Sequence, residues 1–218
     1  MPELMDSLSL LLLAFLTFLT LFALSLLFSL YYQMYRATLF TVVDLDFALT
    51  ISDPKGKHAT FTKTMQLRAN HKGLSEYIHR NLSADGSMGN FRVDDREPEK
   101  IQKDAGDLLI YVRFPHPLSR GEVIKTTLSA DMLDSFCSTT EWVTYMVTYP
   151  TKKVTITVNL PEGRPASAAE MYRFRGGEIE RIPDPVVLLN NNHRLVWTAT
   201  DLRHLGTEYR LQWSWPEA

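Results

Sequence analysis

From Thr41 to Ile51 apolar and polar positions alternate: Val43, Leu45, Phe47, Leu49 and Ile51 share one parity, and Val42, Asp44, Asp46, Ala48 and Thr50 the other. A two-residue period is that of a half-buried β-strand. The period returns over 59–69, where Phe61, Met65 and Leu67 oppose Thr60, Thr62, Thr64, Gln66 and Arg68. Asp53-Pro54-Lys55-Gly56 lies between the two runs and is turn chemistry, so they are expected to form a hairpin. Further strand runs are expected at 108–114, 122–128, 142–149, 153–160, 170–174, 194–199 and 207–215. The clearest sets Val154, Ile156, Val158 and Leu160 against Lys153, Thr155, Thr157 and Asn159. In the last run Tyr209, Leu211, Trp213 and Trp215 fall on one face, an aromatic column expected in the core. Residues 74–82 stay open between a short helix, from Leu74, Ile78 and Leu82 at spacings of four, and a strand. The polar stretch 83–107 is expected as an exposed loop, and 131–136 as a helical turn. Many short β runs with no amphipathic helix after residue 40 predict an all-β fold, an antiparallel β-sandwich or partly closed barrel over 40–216. A parallel α/β fold would need the missing helices.

The amino end has a different pattern. Between Asp6 and Arg36 no charge occurs, and Leu8 to Tyr31 is apolar without proline or glycine. About 20 such residues cross a hydrocarbon core, and in lipid only a helix satisfies its own backbone. One transmembrane helix is therefore expected over 8–35, behind a short leader over 1–7. Tyr31, Tyr32, Tyr35 and Arg36 form the aromatic and cationic collar of a membrane interface. A cleaved secretory signal would have a basic leader and a shorter apolar run; this leader is acidic, which favours a retained anchor. Arg36, Lys55 and Lys57 bias the β domain toward the cytoplasmic side. The Asn81-Leu82-Ser83 sequon would matter only in the opposite topology. With the first strand so close to the exit, the domain is expected against the lipid headgroups. Ala14, Thr17, Ser25 and Ser29 form a small, weakly polar stripe of the kind that lets helices self-associate into a homo-oligomer. The competing reading has these hydroxyls bonded back to their own helix.

Composition narrows the function. In 218 residues, 45% of them hydrophobic, there is room for one ordinary domain beyond the helix. A formal net charge of −2 argues against a nucleic-acid polymer as partner. The single Cys137 closes no intramolecular disulfide and is expected as a small buried hydrophobe. His58, His71, His79, His116, His193 and His204 lack metal-ligand spacing, and His71 and His79 near Glu76 are expected as exposed side chains. No G-x-S-x-G, P-loop or G-x-G-x-x-G occurs, so neither an enzyme, a metal nor a cofactor is expected. The most suggestive polar feature is Tyr172-Arg173-Phe174-Arg175 before Gly176-Gly177. Arg173 and Arg175 share a strand face and, with Arg210 nearby, would grip a phosphate; Arg181 and Arg194 are further candidates. The opposing interpretation is a solvated, charged strand.

The ending Gly206-Thr207-Glu208-Tyr209-Arg210-Leu211-Gln212-Trp213-Ser214-Trp215, with Tyr149-Pro150 and Leu160-Pro161-Glu162-Gly163-Arg164-Pro165, resembles uncharacterised bacterial membrane-anchored β-sandwich modules over the C-terminal third. The layout is similar to transmembrane effectors of bacterial antiphage signalling, whose β domain binds a nucleotide signal or a partner. Those effectors often carry two or more membrane helices, and no ligand motif matches residue by residue. The expected function is a membrane-anchored, non-enzymatic binding or sensing module for a small molecule or protein partner. The alternatives are a ligand-gated effector that disrupts the bilayer through helix oligomerisation, and an enzyme with a dispersed site.

Overall fold

The structure, a computed structural model, describes residues 2–104, 107–183 and 185–216, with helix side chains described over 13–31. The chain forms two compact units, Met1–Thr38 and Leu39–Ala218.

The first unit is one helix, α1 (Pro2–Ala37). Its segment Leu13–Tyr31 is long and apolar enough to cross a membrane, about 28 Å at 1.5 Å per residue. Thr17 and Thr20 donate their hydroxyl protons to the carbonyls of Leu13 and Leu16, at 2.8 and 2.7 Å. A back-bond of this kind lets a hydroxyl sit on an apolar helix without an unsatisfied donor.

The second unit is all β, as the alternation predicts. Its strands are β1 (Phe40–Ile51), β2 (His58–Ala69), β3 (Leu74–Leu82), β4 (Ser87–Val93), β5 (Lys100–Asp104), β6 (Asp107–Leu118) and β7 (Val123–Leu133). They continue with β8 (Thr140–Met146), β9 (Thr151–Asn159), β10 (Ala168–Arg175), β11 (Glu178–Arg181), β12 (Val187–Leu189), β13 (Arg194–Leu202) and β14 (Glu208–Ser214). Among the described residues they form a seven-stranded sheet ordered β12-β13-β9-β1-β2-β7-β4, a four-stranded sheet β11-β10-β14-β8 and a three-stranded sheet β3-β6-β5. Each sheet keeps free edges, so the fold is an open sandwich and not a closed barrel. The pairing is antiparallel apart from β1 beside β9.

The expected hairpin of β1 and β2 forms, with Leu49 opposite Phe61 and Leu45 opposite Met65. A bulge between Val42 and Asp44 shifts the parity, so Phe40 and Val42 enter the core in place of Val43. Residues 74–82 resolve as strand β3. The stretch expected as a loop contains β4 and β5, which pair with β7 and β6. Both are sheet edges with little buried surface, so neither carries an alternating pattern. The expected helical turn at 131–136 is instead the end of β7 followed by a bend.

The large sheet forms one layer and the two smaller sheets share the other. Against the four-stranded sheet, Trp197 of β13 lies 5.5 Å from the Tyr209 ring of β14, and Tyr145 of β8 bonds Thr151 of β9 at 2.6 Å. Against the three-stranded sheet, Phe40 of β1 packs edge-on to Tyr77 of β3 and Phe114 of β6. Tyr209, Leu211, Trp213 and Trp215 are all buried in this core, as their shared parity predicts.

The β1–β2 turn is fitted closely to the β7–β8 connection. Gly56 has φ +72°, and a Cβ placed there would stand 1.6 Å from the Phe136 carbonyl oxygen. No side chain can be accommodated without moving backbone. Gly56→Ala is therefore expected to destabilise the β unit by about 3 kcal/mol, from overpacking and left-handed strain together. Chemical denaturation of the full chain in detergent checks this; an unchanged midpoint would refute the close fit.

Candidate functional site

The second layer of the sandwich is interrupted where β8 and β3, the edges of two different sheets, flank the inner face of the large sheet. Over Phe47 of β1 and Phe61 of β2, whose rings stack at 5.9 Å, the interruption holds a cavity of about 160 Å³. One wall is Glu141 to Thr144 of β8, the other runs from Asn81 and Leu82 at the end of β3 to Asp85, and Met88, Met132, Ser135 and Phe136 complete the lining.

Local chemistry sets both walls. In β3 a bulge between His79 and Leu82 ends regular pairing with β6, and Asn81 takes φ 56°. Asparagine tolerates this left-handed conformation better than most residues. The following segment is held by Gly86, where a Cβ would come within 1.9 Å of the Leu133 carbonyl oxygen. On β8 the alternation turns Glu141, Val143 and Tyr145 inward to burial and leaves Trp142 39% exposed on the outer face. The bonds Trp215 N–H to Thr139 O, 3.0 Å, and Val147 N–H to Thr207 O, 2.9 Å, fix which β8 residues bond β14. They are the odd-numbered ones. By the antiparallel pattern, the N–H and C=O groups of Trp142 and Thr144 point the other way, along the unpaired edge that borders the cavity.

Glu141 is the buried charge of this wall, with 3% of its surface exposed. Its Oε1 accepts the Ser138 N–H at 2.5 Å. Burial pushes the carboxyl pKa up and Asp85 pushes the same way, while the Ser138 amide and Arg164 oppose them. Ser138 is itself fixed through its carbonyl, which accepts Trp215 Nε1 at 2.6 Å and Arg164 Nη2 at 3.4 Å. Arg164 also donates to Pro216 O at 2.7 Å and Pro54 O at 2.9 Å, and stacks 3.9 Å over the Trp215 ring.

Further along the same strands lie two more titratable groups. Lys63, on the inner parity of β2 between Phe61 and Met65, has its pKa lowered by burial to about 8. His79 of β3 is fully buried, and both ring nitrogens lack a partner. Burial holds its pKa well below the ordinary histidine value, with the Lys63 charge adding to the effect. Its ring stands edge-on to Tyr77, 5.0 Å away, and Tyr77 in turn donates to Met65 Sδ at 3.8 Å. The expectation of an exposed His79 is thus corrected: it shares the inward parity of Tyr77.

The sequence-derived arginine cluster does not converge. Arg173 pairs in register with Tyr209, and Arg210 with Tyr172, so the two guanidiniums lie on opposite faces of the sheet. Arg173 is ion-paired to Glu180 and borders a separate cavity with Trp197 and Tyr209. Arg210 lies 3.1 Å from Glu208 and 4.3 Å over the Phe174 ring. Arg175 is exposed and sits opposite Glu178. Arg181 flanks Tyr172 on the face of Arg210 and reaches Glu170 at 2.8 Å, and Arg194 belongs to the large sheet. Arg173 and Arg181 therefore meet glutamates across the β10–β11 pair, and Arg210 meets one on its own strand. On the helix, Ala14, Thr17, Ser25 and Ser29 are exposed, with the Thr17 hydroxyl bonded to its own helix. Tyr31 is exposed; the side chains of Tyr32, Tyr35 and Arg36 lie outside the described residues. Cys137 is exposed, against expectation, because Phe136 beside it takes the buried position. Among the described residues no three His, Cys, Asp or Glu side chains gather as a metal site. Glu141 and Asp85 were not among the candidates, although Glu141 shares its parity with Val143 and Tyr145. A carboxylate on an apolar strand face is the signal that marks it.

No protein-family model and no curated protein matches the sequence. Among solved structures the chain is similar to an M1 zinc metallopeptidase from Deinococcus radiodurans, with 13% identity, 79% of this chain and 42% of that chain covered, and TM-score 0.44. It is likewise similar to native yeast LTA4 hydrolase, with 11% identity, 80% and 29% covered, and TM-score 0.42. The chain spans less than half the length of either, and the likeness is too slight to say what it does.

A pH dependence follows from His79. Its folded-state pKa lies below the unfolded value near 6.5, so its contribution to stability is complete above pH 6.5 and is lost as pH falls below it. Between pH 7 and pH 5 the loss does not exceed about 1.4 kcal/mol per pH unit. His79→Leu is expected to remove that part of the acid slope, read from denaturation midpoints at the two pH values. Equal slopes in wild type and variant would show that His79 takes up a proton freely in the folded state.

Proposed function

We propose that the chain is a non-enzymatic binding module anchored by α1 in a membrane, its β unit on the cytoplasmic side. The observation that carries the binding role is the cavity at the break between β8 and β3, with an apolar floor, a buried carboxylate and strand-edge amides in one place. Convergent polar groups over an apolar floor are the usual make-up of a recognition site. The anchor rests on the uninterrupted apolar span Leu13–Tyr31 and on the absence of charge between Asp6 and Arg36. Retention of Thr17's proton by its own helix favours an anchor over an assembly device held by hydroxyl contacts between helices.

Two measurements test the reading together. Full-length protein in membranes is expected to stay in the pellet after alkaline carbonate. In detergent, a thermal-shift screen is expected to yield a ligand that raises the melting temperature by several degrees near 100-fold excess over Kd, since about 2.7 kcal/mol is then gained. Ala84→Phe, which fills the cavity, should abolish that shift while leaving the unliganded melting temperature within a few degrees. Release by carbonate would remove the anchor, and a shift indifferent to Ala84→Phe would move the site elsewhere.

A further inference from the structure

We infer that the occupant of this cavity is an extended polypeptide segment that adds to β8 as a further strand, setting a basic side chain beside Glu141 and an apolar one beside Val143. The inference rests on the binding role proposed above and specifies its ligand.

The backbone supplies the first reason. Trp142 and Thr144 direct their N–H and C=O groups along a β8 edge that no described strand pairs, and that edge borders a roofless stretch of the large sheet. Free edge groups are a template for another strand, and an extended peptide satisfies them in register. The size of the cavity gives the second. At about 160 Å³ it is smaller than the roughly 300–1,000 Å³ of drug-sized ligand pockets and suits side chains projected from a strand.

The pleat then sets the sequence preference. Inward positions on a strand recur every second residue, so an added strand places two inward side chains next to Glu141 and Val143, separated by one outward residue beside Trp142. Val143, Phe47 and Phe61 offer an apolar surface to one of them. Charge selects the other: among the described lining residues the only charged ones are Asp85 and Glu141, and Arg164 is already committed to three backbone carbonyls. An incoming lysine or arginine supplies the missing positive charge. The motif is basic, any residue, apolar, in either chain direction.

The test uses full-length protein in detergent and a fluorescent pool of peptides of about eight residues, the length of a short strand, with Lys-x-Val or Val-x-Lys at the centre. A matched pool carries N-methyl groups on the central amides, and benzylamine serves as a small cationic probe. Binding is expected for the first pool, weakened about tenfold or more by N-methylation and by Glu141→Gln, which keeps an acceptor for Ser138. Replacing the central lysine by norleucine should abolish the effect of Glu141→Gln. Equal binding of the N-methylated pool, or binding of benzylamine without binding of the peptides, overturns strand addition while leaving a binding module. If neither peptides nor benzylamine bind, strand addition is overturned and the proposed function loses its site as well.

Discussion

One buried guanidinium, that of Arg164, fixes the geometry on which the cavity depends. Its planar fork donates in three directions, to Pro54 in the β1–β2 turn, Ser138 before β8 and Pro216 at the end of the last strand, while its face rests on Trp215. A lysine at this position would present a single point charge and could not hold three carbonyls in a plane. Burial lowers the pKa of Arg164, and Glu141, Cys137 and Asp53 act against that shift. Ser138, held at its carbonyl, then presents its amide to Glu141. The carboxylate that marks the cavity is in this way positioned from the loops, not from the sheet.

The break in the second layer has its own cause. Strand β3 carries two register irregularities, at Leu74/Glu76 and at His79/Leu82. Bulges bend a strand and end its pairing, so β3 does not run on as a partner for β8. At one end the space between them is closed by rings: Tyr77 lies 5.8 Å from Tyr149 and 5.7 Å from Phe40. At the other the strands give way to Asn81–Asp85, and the gap stays open over Phe47 and Phe61. Other edges are protected in ways β8 is not. The four residues of β11 are exposed, three of them charged, and β4 is bulged where it meets β7.

What the sequence disclosed follows the same physics. Strands with one face in the core, such as β2, β9 and β14, write a two-residue period into the chain and are legible from it. Strands β4, β5, β11 and β12 bury too little to impose a period, and β12 is exposed at all three positions. Bulges are equally silent: Val43 continues the alternation of β1 on paper, and only pairing reveals that Phe40 and Val42 take the core. The candidate site was less legible than the fold because sites are made by pairing across strands. Arg173 and Arg210 look like neighbours until register sets one opposite Tyr209 and the other opposite Tyr172. Glu141 and Asp85, more than fifty positions apart, give no local motif at all.

On the proposed binding role, Glu141 is a cost retained for recognition. A carboxylate this deep in the fold loses hydration, and one backbone amide with a nearby guanidinium compensates it in part, as its raised pKa records. Buried ionic groups are seldom the cheapest way to stabilise a fold, and an apolar residue at the same parity would pack beside Val143 without that penalty. The residue nonetheless lines a cavity whose other charged lining residue, Asp85, has the same sign. Two like charges facing one small space are mutually destabilising until a cation enters it. In the proposed complex a basic side chain would relieve that repulsion as well as add an attraction of its own, so the same pair of carboxylates that weakens the empty site would strengthen the filled one.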